Sequence, residues 1–451
     1  MPELAEAGSP RSSGPVRSEL LLIFPWHLWW PLTVALLLVW PLVSSAEAGS
    51  RLGPGEAMGV TADAALDRGT VILLSWDGTR HDALELATLP HLSALARLGM
   101  QGRLRSVMPA NTFPAHVSLA TGVLPHQHGI VDNHFFDRER GWYHMDADTR
   151  WLEAEPLWIT AERQRVTSAV YFWVGSERDW RGQRATYREA PFDARRPEAA
   201  KVDQILKWLM LPDAERPRLI MAYWRGADLA GHRFGPDGGR VRDALEAQDV
   251  ELGRLMDGIE AGPGWGEVTL MVVSDHGMTP AGEFVPAAAA LAEAGIPATL
   301  SGSTLCHLFL KDPAMVERAA AVLRALEPRL EVYRPGAEPD HWGISHPQRT
   351  GDLIIAAPPP LVLRMAGGFT GWVNRTGWKL GWTFGGHGYD PTLPAMHGIW
   401  VAGGRGIEPQ ASVETYSMLS VAPTVAELLD IEPAAAATAP SLGSGRAALA
   451  R

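Results

Sequence analysis

The chain has 451 residues, 46% of them hydrophobic and 20% charged, which suits a folded body large enough for one big domain or two. Its net charge of −11 argues against a nucleic-acid groove, which needs a basic face. A single cysteine, Cys306, excludes an internal disulfide and a thiolate zinc cluster.

Near the N-terminus, Arg11 and Arg17 precede an apolar stretch at 20–43. A small-x-small pattern follows at 44–48, with cutting expected after Ala48. The stretch is long enough to span a bilayer, but Pro25, His27, Pro31 and Pro41 weaken a spanning helix. We expect a cleaved export signal at 1–48, with an uncleaved membrane anchor as the alternative. Either places the rest outside the cytoplasm, periplasmic or extracellular. The Ala, Arg and Pro bias points to a GC-rich bacterial source. A linker is expected at 49–68, the folded body at 69–432 and an Ala-rich disordered tail at 433–451.

Within the body, VILLSWDG (71–78), LIMAYWRGADLAGH (219–232) and VTLMVVSDHG (268–277) begin as buried strands. WTFGGHGYD (382–390) is a shorter, weaker strand. Helical spacing recurs at 89–98, 199–211, 240–259, 286–294 and 314–326. Strands alternating with helices predict an α/β/α sandwich with a mostly parallel central sheet. Cys306 lies in an apolar run at 304–310 and reads as a core residue. Residues 331–360, with Pro clusters and His341, Trp342 and His346, read as an excursion or lid carrying a brief strand at 352–356.

Ligands of open α/β sheets gather beyond the carboxyl ends of strands. Asp77, Asp228, Asp275, His276 and His387 fall at such positions, and His232 follows Asp228 by four residues. Mixed Asp and His ligands suit zinc or a similar transition metal, and six of them suit a pair of ions. Asp77 before Gly78 also fits an ordinary turn, and a lone His387 in a Gly loop says little; the company of the others raises both. Gly226 and Gly231 favour a tight loop around Asp228 and His232 over a helix. Asp82 reads as a helix cap, and His116, His128 and His397 as structural residues bonding backbone within turns.

Thr112 opens a segment, 111–122, that should enter a helix with Pro114 in its first turn. A hydroxyl at a helix N-terminus suits an anion, although capping alone would explain it. An alcohol needs activation to act as a nucleophile. No Ser/His/Asp set stands out, so activation by metal is the better proposal.

Six stretches, in order, resemble the ectonucleotide pyrophosphatase/phosphodiesterases of the alkaline phosphatase superfamily. They are NTFPAH (111–116), TGVLPHQHGIVDN (121–133), FWVGSE (172–177), GHRFGP (231–236), SDHGM (274–278) and HGYD (387–390). The resemblance covers most of 70–431. It implies an alkaline-phosphatase-like fold, with 69–432 as a phosphodiesterase catalytic domain. It implies hydrolysis of phosphodiester or pyrophosphate bonds of small molecules, nucleotides first among them, through a covalent threonine intermediate. One zinc, or similar divalent metal, would sit on Asp77, Asp275 and His276, with Thr112 as its reactive ligand. A second would sit on Asp228, His232 and His387. Asn133 would donate to a non-bridging phosphate oxygen. Phe113 and Trp173 would contact the group carried by the phosphate, with Tyr187 or Phe192 adding another aromatic surface.

Two positions depart from the family pattern. Val174 replaces a usual Pro, and Arg225-Gly226-Ala227 stands where an acidic residue and Pro are usual, so the loop entering that metal site is expected to differ. The same cage would serve a phosphomonoesterase or a phosphonate hydrolase. A sulfatase is disfavoured, because its nucleophile starts from Cys or Ser. A non-enzymatic alternative, a binding protein with structural zinc, is disfavoured because closed structural sites need no nucleophile. Substrate choice is expected to rest on loops such as 142–156 and 331–347.

Overall fold

The computed structural model describes residues 69–364, 375–410 and 414–442. The expected export signal or anchor, the linker at 49–68 and residues 443–451 lie outside the described residues. Among those described, no helix is long and apolar enough to cross a membrane.

Eight strands form the central sheet: β1 (Thr70–Trp76), β2 (Gly99–Arg105), β3 (Ser168–Tyr171), β4 (Tyr187–Glu189), β5 (Leu219–Trp224), β6 (Val268–Val273), β7 (Gly398–Gly404) and β8 (Glu414–Ser417). Their order is β8-β2-β7-β6-β1-β5-β3-β4. All neighbours run parallel except β7, which is antiparallel to both β2 and β6.

The inner strands are apolar along their whole length because helices cover both faces. Val71, Leu73, Met221 and Val273 face one core, built with α1 (Thr112–Thr121), Leu157–Arg163 and Val421–Leu428. Ile72, Leu74, Ala222 and Val272 face the other, built with Pro90–Leu98, Glu198–Leu209 and Gly239–Ala261. This alternation is the expected α/β/α sandwich.

Three expectations need correction. Residues 331–360 are no lid. Glu331–Tyr333 and Leu353–Ala356 join Ala298–Gly302 and Leu305–Leu310 in a second, antiparallel sheet, with Cys306 fully buried in its core. The brief strand expected at 352–356 is present as Leu353–Ala356; its sheet partners Glu331–Tyr333, Ala298–Gly302 and Leu305–Leu310 are strands the sequence reading missed. The 382–390 run stays outside the central sheet: Phe384–Gly386 pairs instead with Thr279–Ala281. The tail expected from 433 begins by packing on the body. Ala437 and Leu442 are buried, and the Leu442 N–H donates to Thr424 Oγ1 at 2.8 Å.

Two histidines are fully buried away from the carboxylates. Burial holds His128 down to about 3 and His307 to about 4. Both are neutral in the fold, while an unfolded histidine titrates near 6.5. Their stabilisation is therefore complete above pH 6.5 and is lost as pH falls. By pH 5 each costs about 2 kcal/mol. Denaturation midpoints, measured with chelator throughout, should drop between pH 7 and pH 5. The drop should be smaller for His128→Gln, and equal midpoints for the parent at the two pH values would refute the assignment.

Candidate active site

β5, β1 and β6 are adjacent, so their carboxyl ends deliver neighbouring side chains. Asp77 directly follows β1, and Asp275 lies two residues past β6. A short turn after β5 leads into α2 (Asp228–Phe234), which begins at Asp228. Two glycines allow these segments to touch. Gly226 has φ +60°, and a Cβ there would run into the Asp77 carbonyl. Gly78 has φ +65°, and its Cβ would fall 2.8 Å from the Asp228 Cα. Only glycine meets both demands. The Arg225-Gly226-Ala227 departure is thus a close-packed turn.

Asp228 and His232 share one helical turn, contrary to the tight loop expected from the glycines, with His232 Nε2 3.3 Å from Asp228 Oδ1. Gly231 does not break the helix, because it packs closely against Met278. His387 enters from the Phe384–Gly386 arm, its Nε2 3.0 Å from that of His232 and 3.6 Å from Asp228 Oδ1. The His276 and His387 rings stack at 3.8 Å. His276 Nε2 lies 3.1 Å from Asp275 Oδ2 and 3.6 Å from Asp77 Oδ1. All six sequence-selected ligands therefore converge.

The arrangement fits cations. In each of His232, His276 and His387 the Nδ1 lies within 3.0 Å of a backbone carbonyl, of Gly385, Gly277 and Ala110 respectively. A carbonyl only accepts, so Nδ1 carries the hydrogen and the Nε2 lone pair turns inward. Asp77 Oδ1, Asp228 Oδ1 and Asp275 Oδ2 are buried without a hydrogen-bond partner. Buried lone pairs of this density need positive charge between them. Two groups have the spacing for an ion: Asp77, Asp275 and His276, and Asp228, His276 and His387.

Charge effects agree with this. Burial, with Asp275 and Asp228 beside it, raises Asp77 well above the usual carboxylate range, against the Tyr223 O–H that donates to its Oδ2 at 2.6 Å. Burial would also raise Asp228, but His232 beside it holds it at about 2. Asp275 is lowered despite burial, by His276 and His116. Burial and the two neighbouring imidazoles hold His387 down at about 3, keeping its ring neutral.

Thr112 is the first residue of α1, and its Oγ1 lies 3.4 Å from His276 Nε2. The sequence reading missed two supporting residues. Tyr223 holds Asp77, and the alternation of β5 could have turned it toward the site. His116, assigned to a turn, is instead inside α1, one helical turn after Thr112. It lies 2.8 Å from the Thr112 carbonyl and 3.3 Å from Asp275 Oδ2, and its Nε2 meets Ser75 Oγ at 2.7 Å.

The family model for type I phosphodiesterase/nucleotide pyrophosphatase matches residues 71–390. The chain belongs to this family. It is 31% identical to an uncharacterized pyrophosphatase/phosphodiesterase of Schizosaccharomyces pombe, over 78% of this chain and 76% of that one. It is 28% identical to a venom phosphodiesterase of Naja atra over 82% of this chain, but it spans only 45% of that protein. In structure it resembles an inactive threonine-to-alanine form of murine ectonucleotide pyrophosphatase/phosphodiesterase 5 in complex with AMP. The TM-score is 0.74 at 24% identity, covering 84% of this chain and 98% of that one. As a family member the chain is a pyrophosphatase/phosphodiesterase hydrolase.

A cavity of about 430 Å³ opens from Asp77, Thr112, Asp228, His232 and His387. Phe113, Asn133, Met145, Phe172, Trp173, Glu177 and Phe192 are among its other lining residues. Trp173 is in the wall but fully buried, its indole N–H on the His116 carbonyl at 3.1 Å. Tyr187 does not line the cavity: its ring packs near Trp208 and its hydroxyl donates to the Glu215 carbonyl at 2.9 Å. Its place on the edge strand β4 directs it to a flanking helix. Phe192, 41% exposed and edge-on to Phe172, lines the cavity instead. Of the two loops expected to select substrate, 142–156 supplies Met145, Asp146 and Ala147. From 331–347, Arg334, Pro335, Ser345, His346 and Pro347 line a separate, more open depression with Arg138.

Proposed function

We propose that this family member cleaves nucleotide phosphodiester or pyrophosphate bonds, after export, with two divalent cations and with Thr112 as the covalent nucleophile. Zinc is the metal the donor set favours. The observation that carries this reading is the Thr112 hydroxyl beside His276 Nε2, which in turn lies within 3.6 Å of two buried carboxylate oxygens that lack partners, Asp77 Oδ1 and Asp275 Oδ2. The inactive threonine-to-alanine form of the murine relative and its AMP complex support the same reading.

Asp77, Asp275 and His276 would hold one ion, and Asp228, His232 and His387 the other. When bound, such a pair lowers the pKa of a coordinated hydroxyl or water and offsets the charge of the transferring group. Thr112 Oγ1 then attacks phosphorus from the start of α1, at the positive end of the helix dipole. The leaving alcohol or phosphate departs opposite Thr112, and a phosphothreonine ester remains. Water entering from the vacated side releases the product, so two inversions give net retention at phosphorus.

The side-chain oxygen of Asn133 already accepts from the Phe113 N–H at 2.8 Å. Its NH2 is therefore the end offered to a non-bridging phosphate oxygen. Phe113 and Phe192 offer apolar faces to a nucleoside. Among the described residues lining the cavity there is no Lys or Arg. A second phosphate would go unpaired there, which favours the uncharged nucleoside inside and the anionic leaving group outside.

The deciding comparison uses a nitrophenyl nucleotide diester and nitrophenyl phosphate. Preference for the diester is expected. Preference for the monoester would replace this reading with a phosphomonoesterase.

A further inference from the structure

An asparagine at a helix N-cap usually accepts from the free N–H of the second or third residue of its own helix. Asn111 occupies the N-cap of α1 with extended backbone, yet its side chain makes no such bond. Its Nδ2 instead donates to Asp132 Oδ1 at 2.7 Å. The N–H it leaves free, on Phe113, is taken by Asn133 Oδ1 from another segment. The Asn133 backbone N–H donates to the same Asp132 Oδ1 at 2.6 Å. Two hydrogen bonds thus cross between the turns 111–113 and 132–133. Thr112 lies between the two anchors on one side, and Asn133 is gripped at backbone and side chain on the other. Asn111 and Asp132 are both buried.

We propose that Asp132 is a positioning residue that sets the distance and angle between the Thr112 hydroxyl and the Asn133 NH2. This deepens the proposed function and rests on its assignment of Asn133 to the transferring phosphate. The physical reason is that nucleophile and donor sit on separate loops, whose independent motion would blur the attack geometry. A misplacement of about 1 Å can cost about a hundredfold in rate. Asp132 removes that freedom by accepting from both loops at one oxygen atom. Because only Oδ1 is used, acceptor position matters and charge does not. Burial agrees, raising the carboxyl to about 7, so that a neutral side chain serves as well.

The test uses the zinc-loaded enzyme and a nitrophenyl nucleotide diester, with the Rp and Sp phosphorothioates of that substrate. Asp132→Ala should lower kcat about tenfold or more with KM and metal content little changed. It should also weaken the Rp/Sp preference, because the donor no longer holds one non-bridging position. Asp132→Asn keeps an oxygen at Oδ1 and should restore both to near the parent. Asn111→Ala, which removes the donor to Asp132 Oδ1, should reproduce the alanine defect and serves if Asp132→Ala does not fold. Adding Asp132→Ala to Asn133→Ala should cost little beyond Asn133→Ala alone, since both act through one contact. Parent-like kcat in Asp132→Ala, or an Asp132→Asn as impaired as the alanine variant, would overturn the proposal. If Asn133→Ala itself were fully active, the underlying assignment of Asn133 would fail instead.

Discussion

Thr112→Ala is expected to keep its metal and lose its turnover, by at least about 10³-fold on a phosphodiester. Thr112 is only partly buried, and the N-terminus of α1 is capped from outside by Asn133, so the substitution leaves the helix start intact. The six Asp and His side chains converge without the hydroxyl, so metal content should match the parent. What would disappear is the proposed attacking oxygen; only direct attack by water would remain, without a covalent stage. Rapid-quench measurement with a labelled substrate should find a phosphoenzyme in the parent and none in the variant. Substantial diesterase activity in Thr112→Ala would remove Thr112 from its role.

Chelation should have a comparable effect. Asp77, Asp228 and Asp275 each present a buried oxygen without a partner, and three imidazoles turn lone pairs toward them. No Lys or Arg lines the cavity among the described residues to take the place of a cation against a phosphate. Stripped protein should therefore lose activity by about 10³-fold or more, and added zinc should restore it. Exhaustive dialysis against chelator, elemental analysis and back-titration with zinc would measure this. Full activity in a sample shown to be metal-free would refute a metal-dependent mechanism.

The convergence of the six Asp and His side chains was legible because they sit where periodicity ends. A run such as VTLMVV must be a buried strand, and Asp275-His276 just past it must lie at the sheet edge. Asn133 depended on the family resemblance; Thr112, ordinary by itself as a threonine entering a helix, stood out only in the company of the Asp and His residues. What escaped the sequence was mostly decided by tertiary contact. The helix at Asp228–Phe234 forms despite two nearby glycines because those glycines answer close approaches to Asp77 and Met278. Tyr187 and Phe192 are both aromatic and five residues apart; only the course of the chain after β4 decides which reaches the cavity. Asp82 does stand at the N-cap of the short helix Ala83–Leu86, but its carboxylate makes no cap bond and is held by Arg80 at 2.7 Å. Such a pair between residues two apart is invisible to helical spacing.

One feature of the sheet bears on how the molecule is made. β7 is contributed late in the chain, yet it lies inside the sheet, bonded along both edges between β2 and β6. A nascent polypeptide leaving the ribosome has finished every other inner strand well before Gly398 emerges. Until then β2 and β6 carry open edges with nothing between them, and such edges invite pairing with foreign strands. A fragment ending at Asp390, where the family match stops, would contain every one of the six Asp and His side chains and Thr112, and still lack the strand that joins the halves of its sheet.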